Sequence, residues 1–264
     1  MKFAFSTLGV PGLSVPEVAA LAAATGFHGV ELRAHPEEPV HPGITARERQ
    51  AAAKEFLRAG VEVLTVAGYA RVAGVGSDDA VRRELAGLLH LARDVGASNI
   101  RVFPGGADQD PKAADATAAR RLGSAAETAA DLGVRILLET HDSHRTGAAV
   151  SRILGPVGHK NLGAIWDVLH PWLEHEAPAA THAALGPYLG YVQVKDVASE
   201  GDQTPLPLGS GVLPLAECLA LVDDDGWVCW EYEKRWYPDA AELPDMLAAG
   251  REHLESLRGA PGEE

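Results

Sequence analysis

The segment RILLETH, residues 135–141, is an apolar run that ends in residues able to carry chemistry. It follows a helical stretch, ATAARRLGSAAETAADLG at 116–133, and it precedes another, GAAVSRILGPV at 147–157. An apolar run of this length between two helices is typical of a parallel strand that is covered on both faces. One complete β–α unit is therefore recognisable near the middle of the chain.

The same unit repeats from one end of the chain to the other. Longer Ala- and Leu-rich stretches separate eight apolar runs, which are KFAFST (2–7), GVELR (29–33), VEVLTVAG (61–68), NIRVFPG (99–105), RILLETH (135–141), GAIWDVLH (163–170), GYVQVKD (190–196) and WVCWEYE (227–233). Several helical stretches end in Gly, the residue that helix ends prefer. Eight such units predict an α/β fold, a single (β/α)8 TIM barrel over residues 1–264, with a frayed tail at 259–264. A doubly wound open sheet is disfavoured, because STLGVPG after the first run is not a G-x-G-x-x-G fingerprint.

Composition and charge limit the classes of partner. The chain is 46% hydrophobic and 23% charged, which is ordinary for a globular enzyme. Its formal net charge of −14 disfavours a nucleic acid or an anionic membrane as the main partner. The two cysteines form no disulfide framework, and the first residues do not resemble a secretion signal. We expect a cytoplasmic protein with neither a membrane nor a nucleic-acid partner.

Acidic residues recur at the carboxyl ends of the later predicted strands, where TIM barrels place their functional groups. Glu139 ends the fifth strand, Asp167 the sixth, and Glu231 the eighth. Three carboxylates in one pocket repel each other unless a cation neutralises them, and a divalent metal ion is the simplest neutraliser. The alternative is that each acid is an ordinary hydrogen-bonded residue at the start of a loop.

Four ordered motifs resemble the metal-site motifs of the xylose-isomerase-like barrel superfamily, which contains sugar (phosphate) isomerases, epimerases and related dehydratases. They are LLETH, IWDVLH, VQVKD and WEYEKRW on predicted strands five to eight, where the superfamily usually shows E-x-H, D-x-x-H, H-x-K-D and a terminal E. FSTLG and GFHGVELR near the N-terminus also fit, so the resemblance covers essentially the whole chain. The resemblance implies a metal-ligand set of Glu139, Asp167, Gln193 and Glu231.

Gln193 departs from the family pattern, which has histidine at this position. Its amide oxygen is a neutral ligand, like imidazole, but it is a poorer ligand for Zn²⁺ than for Mg²⁺ or Mn²⁺. We therefore expect Mn²⁺ or Mg²⁺ in preference to Zn²⁺. Gln193 could instead contact a substrate or lie behind the ligands, or the site could have lost its metal.

The resemblance implies a divalent-metal-dependent isomerase or epimerase that acts on a small sugar or a polyol-derived ketone. In that reaction Glu139 and Glu231 face each other across the substrate and transfer a proton through a metal-stabilised enediolate. Candidate substrate contacts at the same end of the barrel are His141, His170, Lys195 and Arg101.

Several of these side chains have structural alternatives. Lys195 could pair with Asp196 or Glu233 rather than stabilise an oxyanion. Arg101 could pair with Glu31 rather than bind an anionic or polyol group. Glu31 itself shares a face of the second strand with Arg33, and we expect an ion pair between those two.

The sequence leaves two further functions open and disfavours a third. A metal-dependent dehydratase or lyase of a keto-cyclitol would use the same C–H acidification and then expel a hydroxyl group. A non-catalytic barrel subunit that has lost the metal is another alternative. An abasic-site endonuclease is disfavoured by the net charge and by the absence of histidine at position 193. The expected partner is a small sugar-like or polyol-like substrate, and a homodimer is possible.

Overall fold

Eight parallel strands close into a barrel, as the repeating units predict, in a computed structural model that describes residues 1–106 and 109–259. The predicted frayed tail therefore lies, apart from Gly259, outside the described residues. The strands in chain order are β1 (Lys2–Ser6), β2 (Gly29–Arg33), β3 (Glu62–Arg71), β4 (Asn99–Phe103), β5 (Arg135–Glu139), β6 (Leu162–Asp167), β7 (Leu189–Val194), β8 (Val197–Ser199), β9 (Asp202–Pro205) and β10 (Trp227–Trp230). Hydrogen bonding around the barrel follows the order β1-β10-β7-β6-β5-β4-β3-β2.

Helices surround the barrel and connect successive strands. They are α1 (Val15–Ala24), α2 (Ala46–Ala59), α3 (Asp78–Val95), α4 (Pro111–Asp131), α5 (Gly147–Val157), α6 (Leu169–Leu173), α7 (Pro178–Leu185), α8 (Leu215–Ala220) and α9 (Leu247–Gly259). Gly60 and Gly96 end α2 and α3 in the left-handed conformation, at φ of 69° and 80°, which Gly adopts without steric cost. None of the helices in the described part of the chain is long and apolar enough to cross a membrane.

The barrel interior is divided into an apolar floor and a polar upper part. The floor consists of buried inward side chains from six strands, which are Ala4, Leu64, Leu137, Ile165, Tyr191 and Cys229. Because inward positions repeat every second residue, the next inward residues along four of these strands are Glu139, Asp167, Gln193 and Glu231. The alternation that builds the floor therefore also aims the predicted ligands at one pocket above it.

A short antiparallel hairpin, β8 and β9, follows β7 at the carboxyl end of the barrel. The sequence predicts only a loop here. The buried carboxylate of Asp196, just before the hairpin, accepts four backbone N–H groups over 2.9–3.2 Å. The donors are Val197, Gly209, Gly211 and Leu213. Asp196 thus ties residues 209–213 to the end of β7.

We expect Asp196→Asn to lower the free energy of unfolding by about 1–3 kcal/mol, because the amide keeps one acceptor oxygen and leaves two of the four backbone donors unpaired. Urea unfolding followed by circular dichroism measures the change. Asp202→Asn is the matched control, because Asp202 is exposed and accepts the N–H of Thr204, two residues away, at 3.1 Å. It should change stability by less than about 0.5 kcal/mol. Equal effects of the two variants would contradict the anchoring role of Asp196.

Candidate active site

The predicted site residues lie together at the carboxyl end of the barrel. Glu139, Asp167, Gln193 and Glu231 are buried, with 1%, 0%, 0% and 4% of their surface exposed. A cavity of about 310 Å³ opens beside them, and Glu139, Glu231, His141 and Arg101 line it. The convergence expected from the strand ends is present in the folded chain.

Lys195 is the cation that the carboxylates share. Its Nζ lies 2.8 Å from Asp167 Oδ2, 2.5 Å from Glu231 Oε2 and 2.8 Å from Glu233 Oε1. Burial lowers the pKa of Lys195, but the three carboxylates outweigh burial and raise that pKa well above its usual range. Of the two alternative partners given for Lys195, Glu233 is confirmed, and Asp196 is wrong because its carboxylate is turned toward the loop that it anchors.

Arg101 contacts the two glutamates that line the cavity. Its Nη1 lies 3.0 Å from Glu139 Oε2 and 3.6 Å from Glu231 Oε1. Its guanidinium also lies 4.1 Å from the ring centre of Phe103, and its Nε donates to the Gly68 carbonyl. The expected direct ion pair with Glu31 does not form, because Arg101 is directed across the barrel to the two glutamates.

The expected ion pair between Glu31 and Arg33 is also wrong. Arg33 lies at the last position of β2 and reaches Glu38, with Nη1 2.5 Å from Oε1, while its Nε donates to Tyr69. Glu31 lies two residues deeper, fully buried inside the barrel, where the Arg33 guanidinium is not directed. The alternation of side chains along a strand puts both residues on one face, but it does not determine which partner each long side chain reaches.

Glu139 is placed where it can hold or release a proton near neutral pH. Burial raises the pKa of Glu139 to about 8, against the opposing effect of Arg101 and His141.

Glu139, His141 and His170 offer ligand atoms that all lie within 4.8 Å of one another, so these three residues could hold a metal ion. Burial, with His141 and Lys195 nearby, lowers the pKa of His170 well below its usual value, which leaves a neutral imidazole.

Gln193 connects the predicted ligands to Glu31. Its Nε2 donates to Glu31 Oε2 at 3.0 Å and to Glu231 Oε1 at 3.3 Å. Tyr191 donates its hydroxyl to the same oxygen of Glu31. Burial and the charge of Glu231 raise the pKa of Glu31, while Arg101 opposes them. Glu31 was not among the predicted site residues, although its inward position near the end of β2 was a usable signal.

The donor set suits a divalent cation. Within the described residues, the ligand atoms that lie close enough together come from one carboxylate, Glu139, and two imidazoles, His141 and His170, rather than from the predicted set of Glu139, Asp167, Gln193 and Glu231. The buried oxygen Oε1 of Gln193 and the buried nitrogen Nδ1 of His170 have no hydrogen-bond partner within residues 1–106 and 109–259. Unpaired buried polar atoms are unfavourable, so they are natural positions for a ligand to an ion.

Residues 19–257 match the family model of the xylose isomerase-like TIM barrel, and the chain belongs to this family. Among curated proteins, no sequence match is found. A structure described as the probable 3-DHS dehydratase AsbF of Bacillus anthracis is 20% identical, with a TM-score of 0.81 over 97% of this chain and 99% of the other.

Two further structures have the same fold. The IOLI protein with a bound zinc atom is 16% identical, with a TM-score of 0.82 over the whole of both chains. D-psicose 3-epimerase from Clostridium cellulolyticum H10 is 16% identical, with a TM-score of 0.81 over 97% of this chain and 99% of the other. At these identities the similarity establishes the fold, while the chemistry depends on the residues of the site.

We expect Lys195→Met to lower the free energy of unfolding of the metal-free protein by about 3–5 kcal/mol, because three carboxylates lose their shared cation. Added Mn²⁺ should recover part of this loss, since a dication can replace the missing ammonium. Chemical denaturation with and without Mn²⁺ measures both effects.

The control is Lys2→Met, because Lys2 pairs with Glu62 on the surface, with side chains 44% and 57% exposed. Its removal should cost less than about 1 kcal/mol and should not respond to Mn²⁺. If Lys195→Met were no more destabilising than Lys2→Met, the shared-cation interpretation would be wrong.

Proposed function

We propose that this member of the xylose isomerase-like family is a divalent-metal-dependent isomerase or epimerase of a small sugar or polyol-derived ketone. One observation supports it most: Glu139 and Glu231 face one cavity from different strands, with Arg101 reaching both. The cavity of about 310 Å³ is of a size that suits a small molecule. The same fold carries a D-psicose 3-epimerase.

The proton transfer is assigned to the two glutamates. Glu139 removes a proton from the carbon next to the substrate carbonyl, and Glu231 returns one to the opposite face. Arg101 lies between them and stabilises the negative charge that develops on the substrate oxygens. A divalent ion held by Glu139, Asp167, Gln193 and Glu231 would polarise the carbonyl and its neighbouring hydroxyl.

The walls of the cavity support a polyhydroxylated substrate with one less polar face. Leu8, Tyr69, Phe103 and Trp236 line it alongside the charged residues. Trp236 is 52% exposed at the rim, with its ring centre 5.3 Å from the Arg33 guanidinium. Aromatic rings can pack against the C–H face of a sugar while acids and bases contact its hydroxyl groups.

We further propose that the protein is cytoplasmic, that it has neither a membrane nor a nucleic-acid partner, and that it forms a homodimer.

A dehydratase is the second candidate, and the position of His141 favours it. His141 lines the cavity, with its Nε2 4.0 Å from Glu139 Oε1. Burial lowers the pKa of His141, but Asp142 and Glu139 outweigh burial and raise it, so an imidazolium is available to protonate a departing hydroxyl. Glu139 would still remove the proton, and water would leave from the neighbouring carbon.

For the isomerase, we expect Mn²⁺-loaded protein to incorporate solvent deuterium into at least one member of a panel of ketoses and inososes. Glu139→Gln and Glu231→Gln should each reduce the exchange rate by about 10²–10⁴-fold, because each removes a proton-transfer group. Mass spectrometry and NMR of the recovered substrate measure the exchange, and prior dialysis against a chelator should abolish it.

The matched control is Glu242→Gln, which removes a surface carboxylate that pairs with Lys234 and should leave exchange unchanged. A product lighter by one water would select the dehydratase over the isomerase. Absence of both exchange and water loss across the panel, in protein that binds Mn²⁺, would contradict both proposals and favour a non-catalytic barrel.

A further inference from the structure

A hydrogen-bonded chain crosses the barrel interior from β7 to β2. Tyr191 and Gln193, on one face of β7, both donate to Oε2 of Glu31 on β2. The three side chains are buried, with 1% or less of their surface exposed. Strands β7 and β2 are not neighbours in the barrel, since β10 and β1 lie between them. The contact therefore depends on side chains that meet across the interior.

These contacts fix the orientation of the Gln193 amide. Its Nε2 lies 3.0 Å from Glu31 and 3.3 Å from Glu231, so both carboxylates accept from the amide N–H groups. The reversed amide would place its carbonyl oxygen against two carboxylate oxygens and lose both hydrogen bonds. The carbonyl oxygen consequently faces away from Glu31, where it is buried without a partner in the described part of the chain.

We infer that Glu31 is a positioning residue that fixes the Gln193 amide with its carbonyl oxygen free to bind a metal ion, and that Tyr191 holds Glu31 in place. This inference rests on the metal site of the proposed function. A neutral imidazole and a primary amide share the relevant property, because each has one acceptor end and one N–H end. A carboxylate that accepts from the N–H end directs the acceptor end to the ion, as outer-shell carboxylates do for metal-bound histidine.

The arrangement accounts for a glutamine at the histidine position. Glu31 orients whichever side chain occupies position 193, so the substitution preserves both a ligand atom and its hydrogen-bonded support. Glu31 also adds negative charge near the ion, and this electrostatic effect must be separated from positioning. Tyr191 allows that separation, because replacing a neutral phenol by Phe leaves the charge of the site unchanged.

The first experiment compares Mn²⁺ affinities, measured by the electron paramagnetic resonance signal of free Mn²⁺. Tyr191→Phe should weaken Mn²⁺ binding by several-fold, and Glu31→Gln by about tenfold or more. The bound Mn²⁺ spectrum should change as well. Tyr188→Phe is the matched control, because Tyr188 precedes β7 at the other end of the strand, and it should leave affinity and spectrum as in wild type.

A double-mutant cycle separates positioning from charge. Gln193→Met removes the amide but preserves its size, so in that background Glu31 acts through charge alone. Glu31→Gln should then weaken Mn²⁺ binding at least about threefold less than it does in wild type. Gln193→His should restore tight binding and restore the dependence on Glu31.

The outcomes distinguish this inference from the proposed function. Equal effects of Glu31→Gln in both backgrounds, or a Tyr191→Phe protein with unchanged affinity and spectrum, would overturn the positioning role alone. If Glu31→Gln weakened Mn²⁺ binding less in the Gln193→Met background, as expected, but no substrate incorporated solvent deuterium, the isomerase proposal alone would be overturned. Failure of wild-type protein to bind Mn²⁺ would overturn both. If Glu31→Gln did not fold, the comparison of Tyr191→Phe with Tyr188→Phe would still decide the inference.

Discussion

The charge balance inside the barrel is the constraint on which the site depends. Glu31, Glu139, Asp167 and Glu231 are each no more than 4% exposed, and burying charges without partners is costly. Two buried cations, Lys195 and Arg101, offset part of this charge by contacting three of the four acids directly. The acids still outnumber these cations, and burial, with repulsion from Glu231, raises the pKa values of Glu31 and Glu139. A divalent cation bound by Glu139, Asp167, Gln193 and Glu231 would offset this excess of negative charge.

The alternation of side chains along the strands fixes where these charges lie. Each acid on β5 and β6 stands two residues beyond a floor residue, as Glu139 does beyond Leu137 and Asp167 beyond Ile165. A shift of one residue along either strand would turn the acid outward into the helix layer and would turn an apolar side chain inward. The packing of the floor and the geometry of the site are therefore specified by the same alternation. This coupling gives the carboxylates fixed positions before any ligand binds.

Local pattern was enough to predict the barrel and the convergence of the site, but not the pairing inside it. The eight apolar runs and the acids at strand ends follow from periodicity, which is a property of neighbouring residues. The partners of Arg33 and Arg101, and the role of Glu31, depend on distances across the barrel between residues far apart in sequence. Asp196 illustrates the same limit. Its motif suggested a partner for Lys195, whereas its carboxylate serves a loop that begins more than ten residues later.

The arrangement around Lys195 bears on the choice between proton transfer and water elimination. An ammonium group has three N–H donors, and three carboxylate oxygens already lie within 2.8 Å of Nζ. Nζ donates hydrogen bonds to Glu231 and Glu233, and Lys195 is not among the described residues that line the cavity. Of these two groups, His141, which lines the cavity, is better placed than Lys195 to protonate a departing hydroxyl. Isomerisation needs no such acid, since Glu139 and Glu231 can exchange protons while Lys195 keeps its structural contacts. On this ground the proposed proton transfer disturbs the observed contacts less than water elimination would, since Lys195 connects Asp167 on β6 with Glu231 at the end of β10.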